Sequence, residues 1–147
     1  MKLQPSVHDP PCLCLVGPMV GRTPGFVTTQ GEILTDLFRA GGYPVISTSD
    51  KPTRYGRFWD KIWQLLRHRR EMDLIMIQTY SGLSFVIEDI ASWLGKRLGK
   101  PILFHLRGGT LPEFMARHPR WTTRVFRRAD WIVAPSEYLA RAIERYG

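Results

Sequence analysis

Five short apolar runs recur along this chain, at residues 12–17, 44–48, 73–79, 102–106 and 130–134. Each is broken by Gly, Pro or a polar cluster, and each is followed by a stretch with helical spacing. Runs of this length without polar alternation read as strands buried on both faces. After the first run, Ile33, Leu34, Leu37 and Phe38 form one stripe of a helix that opens on a Thr29–Glu32 capping box and ends at Gly41-Gly42. Residues 54–70 are a basic amphipathic helix, with Phe58, Ile62, Leu65 and Leu66 on one face and Trp59 and Trp63 alongside. A helix over 83–98 carries Leu83, Val86, Ile87, Ile90 and Leu94, and closes at Gly99 and Pro101. Short helices at 112–116 and 121–128 lead to the fifth strand, and Ser136 caps a last helix through Arg145. Parallel strands need crossovers about the length of a helix, so strict strand–helix alternation predicts the α/β class with a parallel sheet.

At 147 residues the chain suits one domain. Residues 1–11 read as an N-terminal extension and 12–147 as the domain. No apolar run is long enough to span a bilayer, and the opening residues, with Pro5, His8, Asp9, Pro10 and Pro11, do not make a signal peptide. A cytoplasmic location is the expectation. Cys12 and Cys14 are too close in sequence to pair comfortably along one strand and too few for a tetrahedral metal site, so they read as small core fillers. The net charge of +8 is more informative. Residues 54–70 hold six Lys or Arg against one Asp, and residues 117–128 hold five Arg and no acid. Such excess points to an anionic partner: a phosphorylated ligand, an acidic lipid surface or nucleic acid.

Open parallel sheets bind ligands at the carboxyl ends of their strands, so the loops there carry the candidate site. The first loop has Gly17, Gly21 and Gly25. That spacing is neither the dinucleotide fingerprint nor a P-loop. It leaves a permissive backbone, with Gly21 and Arg22, feeding a helix N-terminus that suits a phosphate or carboxylate. The third strand ends on Thr79 and Tyr80, a polar rim. After the fourth come Arg107, Gly108 and Gly109. His105 and Arg107 are two apart and share a strand face. Arg107 could clamp an anion bidentately, and His105 could move a proton or hydrogen-bond an acceptor hydroxyl. Ser136 follows the fifth strand as a helix cap with a possible ligand contact. The sequence holds no Ser-His-Asp constellation and no metal-ligand cluster; His118 sits in a basic stretch and reads as solvated.

The stretches Phe104-His105-Leu106-Arg107-Gly108-Gly109-Thr110-Leu111-Pro112-Glu113-Phe114 and Arg128-Ala129-Asp130-Trp131-Ile132-Val133-Ala134-Pro135-Ser136-Glu137-Tyr138-Leu139, with the order of elements, resemble the N-terminal domain of family 4 glycosyltransferases. Those are retaining enzymes of the GT-B architecture. The resemblance spans about Cys12 to Gly147. It implies a Rossmann-like parallel sheet with helices on both faces, half of a two-domain enzyme. It implies a nucleotide-sugar donor held by a second domain, with this half binding a glycan or lipid-linked acceptor. It implies no resident cofactor and no protein nucleophile, since the leaving diphosphate serves as base. Gly21 matches the family's loop that approaches the donor phosphates. The family often has His directly before the Gly of the fourth-strand loop; here Arg107 holds that position and His105 lies two upstream. The chain ends where a family member would continue into its donor half, so the expectation is that it transfers no sugar alone.

Two other readings compete. A basic nucleic-acid- or membrane-binding module fits a pI near 10. No nucleic-acid recognition motif is present, and the aromatics are expected within the helical core stripes rather than in an exposed row, so nucleic acid is disfavoured. A receiver-like signalling domain would need acidic residues after the first strand, where Gly17, Pro18 and Met19 stand.

Overall fold

The computed structural model describes residues 9–17, 30–47 and 53–146. Strand β1 (Leu13–Val16), helix α1 (Gln30–Ala40), β2 (Val45–Ser47), α2 (Arg54–Arg67), β3 (Leu74–Thr79), α3 (Ser84–Arg97), β4 (Ile102–Leu106), α4 (Leu111–Arg117), α5 (Pro119–Phe126), β5 (Trp131–Val133) and α6 (Glu137–Ile143) follow in that order. All five strands are parallel, in the order β2-β1-β3-β4-β5. The fold is the expected α/β, Rossmann-like class with helices on both faces. The Thr29 cap, the Gly21–Arg22 loop and the extension through residue 8 lie outside the described residues.

Side-chain alternation along buried strands divides the core in two. Cys14 and Val16, Ile75 and Ile77, and Ile102, Phe104 and Leu106 face α2 to α6. They pack with Leu65, Phe85, Ala91, Leu111, Met115, Val125, Phe126 and Leu139. On the other face Leu15 and Met76 pack with Leu34 and Phe38 of α1. The expected α1 stripe therefore splits. Leu34 and Phe38 pack against the sheet, whereas Ile33 and Leu37 are exposed and Gly31, Glu32 and Thr35 are buried. The small residues let the helix lie close. Gly95 does the same for α3: a Cβ there would stand 2.6 Å from Ile102 Cδ1 and 2.8 Å from Ile75 Cδ1.

Aspartates register the sheet. Asp73, just before β3, accepts from Cys12 N–H at 2.8 Å, while its own N–H donates to Cys12 O. Asp130, just before β5, accepts from Ile102 N–H at 2.8 Å and from Lys96 Nζ at 2.6 Å. The Lys96 contact, then the Ile102 N–H, holds its carboxyl below the usual range. A third aspartate ties α5 to α3. Asp89 accepts from Arg128 Nη1 at 2.5 Å, Trp121 Nε1 at 2.7 Å and Arg124 Nη2 at 2.8 Å. The arginine-rich segment expected to meet an anionic partner thus spends Arg124 and Arg128 on an internal acid.

The aromatics of α2 overturn a second expectation. Trp59 and Trp63 are 66% and 51% exposed, with Tyr55 and Leu66 also exposed beside them. Positions 55, 59, 63 and 66 follow one helical face, so they form an outward stripe rather than part of the core. Arg67 lies over the Trp63 ring at 4.7 Å. Cys14 is the core filler expected; burial pushes its thiol up to about 12. Among the described residues no helix is long and apolar enough to cross a membrane.

Candidate functional site

The strand order reverses between β1 and β3, because the chain first moves outward to β2 and then returns to continue through β3, β4 and β5. In doubly wound sheets the crevice at that reversal, outside the carboxyl ends, is where ligands bind. Gly17 closes β1 on one side of it and Gln78 lies near the end of β3 on the other.

Gln78 pairs in register with His105, so the two side chains stand side by side on the α1 face of the sheet. Gln78 is 2% exposed, and neither its Nε2 nor its Oε1 has a hydrogen-bond partner. Its amide reaches across to β1: a Cβ on Gly17 would lie 2.4 Å from Oε1. Glycine is required there by that approach. Sequence reasoning missed Gln78. The signal was a polar residue inside an otherwise apolar strand, Leu74-Ile75-Met76-Ile77-Gln78-Thr79.

Two residues past His105 along the same face stands Arg107, half-buried at the mouth of β4. Its Nη2 lies 3.3 Å from His105 Nδ1. Arginine only donates, so the neutral ring accepts at Nδ1 and carries its proton on Nε2. Burial, and then the Arg107 charge, lower the ring below the ordinary histidine range, which keeps it neutral near pH 7. In that tautomer His105 offers a donor rather than a base. Arg107 Nε is buried and unpartnered, and among the described residues no carboxylate pairs with the guanidinium. Its backbone N–H donates to Thr79 O at 2.9 Å, tying the two strand ends together. Gly108, at φ +83, then turns the chain toward α4 in a conformation that favours glycine.

Tyr80 and Thr79 divide between the faces. Thr79 is fully buried on the face of the larger core, its Oγ1 without a partner. Tyr80 N–H donates to Glu88 Oε1 at 2.8 Å, so α3 positions the β3 rim. Glu88 is itself buried; burial raises its carboxyl well above the usual range, against the Tyr80 N–H and the nearby Lys61. Burial likewise lowers Lys61, to about 8, with Glu88 opposing and Arg57 adding to the shift. Burial, offset by Arg107, raises the Tyr80 phenol. Ser136 is occupied as the predicted cap, accepting from Leu139 N–H at 3.3 Å, at the next strand end along the sheet. His118 is exposed, its ring against Phe114 and Trp121. Of the predicted residues, then, His105, Arg107 and Gly108 gather at one strand mouth beside Gly17 and Gln78. Gly21 and Arg22 lie outside the described residues. Among the described residues no cluster of His, Cys, Asp and Glu could hold a metal.

A family model described as Glycosyltransferase Family 4 matches residues 16–147. The chain belongs to Glycosyltransferase Family 4. No curated protein matches the sequence significantly. Among solved structures the chain is similar to the signal receiver domain of a modulated diguanylate cyclase from Desulfovibrio desulfuricans G20, described as an example of alternate folding. The TM-score is 0.51 at 17% identity, over 94% of each chain. That likeness is one of fold. This family 4 chain keeps Gly17, Pro18 and Met19 where a receiver's phosphoryl chemistry would need acids.

The family signature acquires physical content in this frame. In Ala129-Asp130-Trp131-Ile132-Val133-Ala134-Pro135-Ser136-Glu137-Tyr138-Leu139, Asp130 staples β5 to β4 and α3, and Ser136 caps α6. Ile132 and Ala134 pack on the core, and Leu139 is buried in it. These positions build the scaffold that brings the strand mouths into line.

Proposed function

We propose that this glycosyltransferase-type domain is the acceptor-binding half of an enzyme that moves a sugar from a nucleotide-sugar donor to a polysaccharide or lipid-linked acceptor. The observation that carries the reading is the row Gly17, Gln78, His105 and Arg107 at the sheet's reversal point. Its buried amide and guanidinium Nε lack protein partners, which is the condition of groups that wait for a ligand. Gly108 gives the acceptor backbone room, and Thr79, Tyr80 and Ser136 border it. The family resemblance assigns Gly21 and Arg22, which lie outside the described residues, to donor phosphate. In that reading a donor-binding half completes the enzyme, and this domain without one transfers no sugar. The test joins the chain to a family donor half and assays transfer to membrane extracts. Arg107→Ala should abolish transfer in the joined enzyme while leaving the melting temperature of the chain nearly unchanged, because among the described residues Arg107 has no acidic partner to strand. A loss of about 3–5 kcal/mol would instead mark it as a structural ion-pair residue.

The exposed α2 stripe favours a peripheral position at the inner face of an anionic membrane, where a lipid-linked acceptor would be presented. Tyr55, Trp59, Trp63 and Leu66 supply the apolar side, and Arg67, Arg69 and Arg70 follow at its end. The same stripe gives the nucleic-acid reading its only new support, since bases stack on exposed aromatics.

A further inference from the structure

We propose that the row Gly17–Gln78–His105–Arg107 selects an anionic acceptor, a hydroxylated sugar ring that carries a carboxylate or phosphate. The inference rests on the acceptor-binding reading and narrows its substrate class.

The chemistry offered by the row decides the class. Gln78 presents one acceptor and an NH2 donor, both without partners and both buried. Methionine or leucine at this position would fill the space without leaving an amide unpaired, so the polar group costs stability unless a ligand completes it. Gly17 leaves the room that the amide occupies. Next along the sheet, His105 keeps its proton on Nε2 as a donor because Arg107 holds Nδ1. Beyond it, Arg107 keeps Nε–H free and its positive charge unneutralised by any described carboxylate. Glu88, a buried acid of α3, is turned to the Tyr80 N–H. The row therefore holds donors in excess of acceptors, with a fixed positive charge at one end and an amide at the other. A hydroxyl pair suits the amide, which both gives and accepts. An oxyanion suits the guanidinium and the imidazole N–H. A neutral sugar would leave the charged end unmatched.

The experiment uses the full chain and four probes: methyl β-D-glucuronide, glucose 1-phosphate, methyl β-D-glucoside and inorganic phosphate, titrated by calorimetry and ligand-observed NMR. At least one anionic sugar should bind about tenfold tighter than both the glucoside and phosphate. Which of the two wins separates a carboxylate-bearing from a phosphate-bearing acceptor. Gln78→Met should melt at or above the parent yet lose about tenfold in affinity. Arg107→Gln, at a half-buried position, should bring the anionic sugar down to the affinity of the glucoside; it serves as the test should Gln78→Met not fold. Equal binding of glucuronide and glucoside would overturn the inference and leave the acceptor reading standing. Phosphate binding as tightly as glucose 1-phosphate would overturn it too, as would unchanged affinity in Gln78→Met. No sugar bound at about 10 mM, with an oligonucleotide bound instead, would overturn both.

Discussion

Gly17 and Gln78 are one device at two positions. The glycine supplies no side chain, and the glutamine lays its amide in the space. Gly17→Ala would bring a Cβ to 2.4 Å from Oε1 and 3.0 Å from Cδ of Gln78. Because Gln78 is buried, its side chain has little room to swing, and the substitution should cost about 1–3 kcal/mol in urea unfolding. The cost should largely vanish in a Gln78→Ala background, where the space is open. Additive effects in that double-mutant cycle would mean that the two residues do not share the space. Gln78 could have been singled out from the sequence as a polar residue in an apolar strand. Its neighbour on β1 could not, because only the register of β1 against β3 brings Gly17 beside it.

At the scale of elements, the clamp from α5 and its C-terminal turn onto Asp89 of α3 is the contact most exposed to mutation. Trp121, Arg124 and Arg128 all converge on that carboxylate, and Arg128 also reaches Asp89 O and Ser92 Oγ. Although burial works against ionisation, these hydrogen bonds hold the carboxyl below its usual range. A carboxyl lowered on folding stabilises the native state above its unfolded pKa, near 3.9, and that contribution fades as the pH falls through the lower folded value. Asp89→Ala should therefore cost about 3 kcal/mol at neutral pH, since it also strands the half-buried Arg128. The gap between parent and variant should close as the pH is taken below about 4. Chemical denaturation of both proteins across that range is the check; a gap that persists at low pH would assign the effect to packing rather than charge. Lys61 obeys the same linkage at higher pH, with burial rather than hydrogen bonding as the cause. Its ammonium binds its proton less tightly when folded, so stability should rise relative to Lys61→Met between about pH 8 and 10.5.

Over the whole molecule the distribution of charge matters more than its sum. Arg124 and Arg128 face Asp89, and Lys96 faces Asp130, so three of the 21 Lys and Arg side chains answer acids within the fold. The basic end of α2 stays exposed beside an aromatic stripe, which sets it apart from the equally exposed Arg117, Arg120 and Arg127. Trp59→Ser with Trp63→Ser should sharply weaken co-sedimentation with anionic vesicles while leaving the melting temperature nearly unchanged, because both rings are more than half exposed. Added salt should weaken the parent's binding. Binding to neutral vesicles as strong as to anionic ones would remove the electrostatic part of the proposal. Tighter binding to single-stranded oligonucleotides than to vesicles would promote the nucleic-acid reading.

The strand–helix alternation, the glycine and serine caps and the family's signature stretches are local features, and local pattern was enough to determine the α/β class, the five strands and the mouth of β4 with His105 and Arg107. Periodicity assigns a side chain to a helix face without saying what that face meets. For that reason periodicity places the two tryptophans of α2 and the whole stripe of α1 with the core, and only packing against the sheet decides that Leu65 is buried while Trp59 and Trp63 are not. The arginine run shows the same limit, because its acid lies on a different helix, 35 residues from Arg124 and 39 from Arg128. Strand order, the reversal between β1 and β3 and the meeting of Gly17 with Gln78 depend on contacts between residues 61 positions apart. No local pattern encodes such a contact; it exists once the crossovers have set the register.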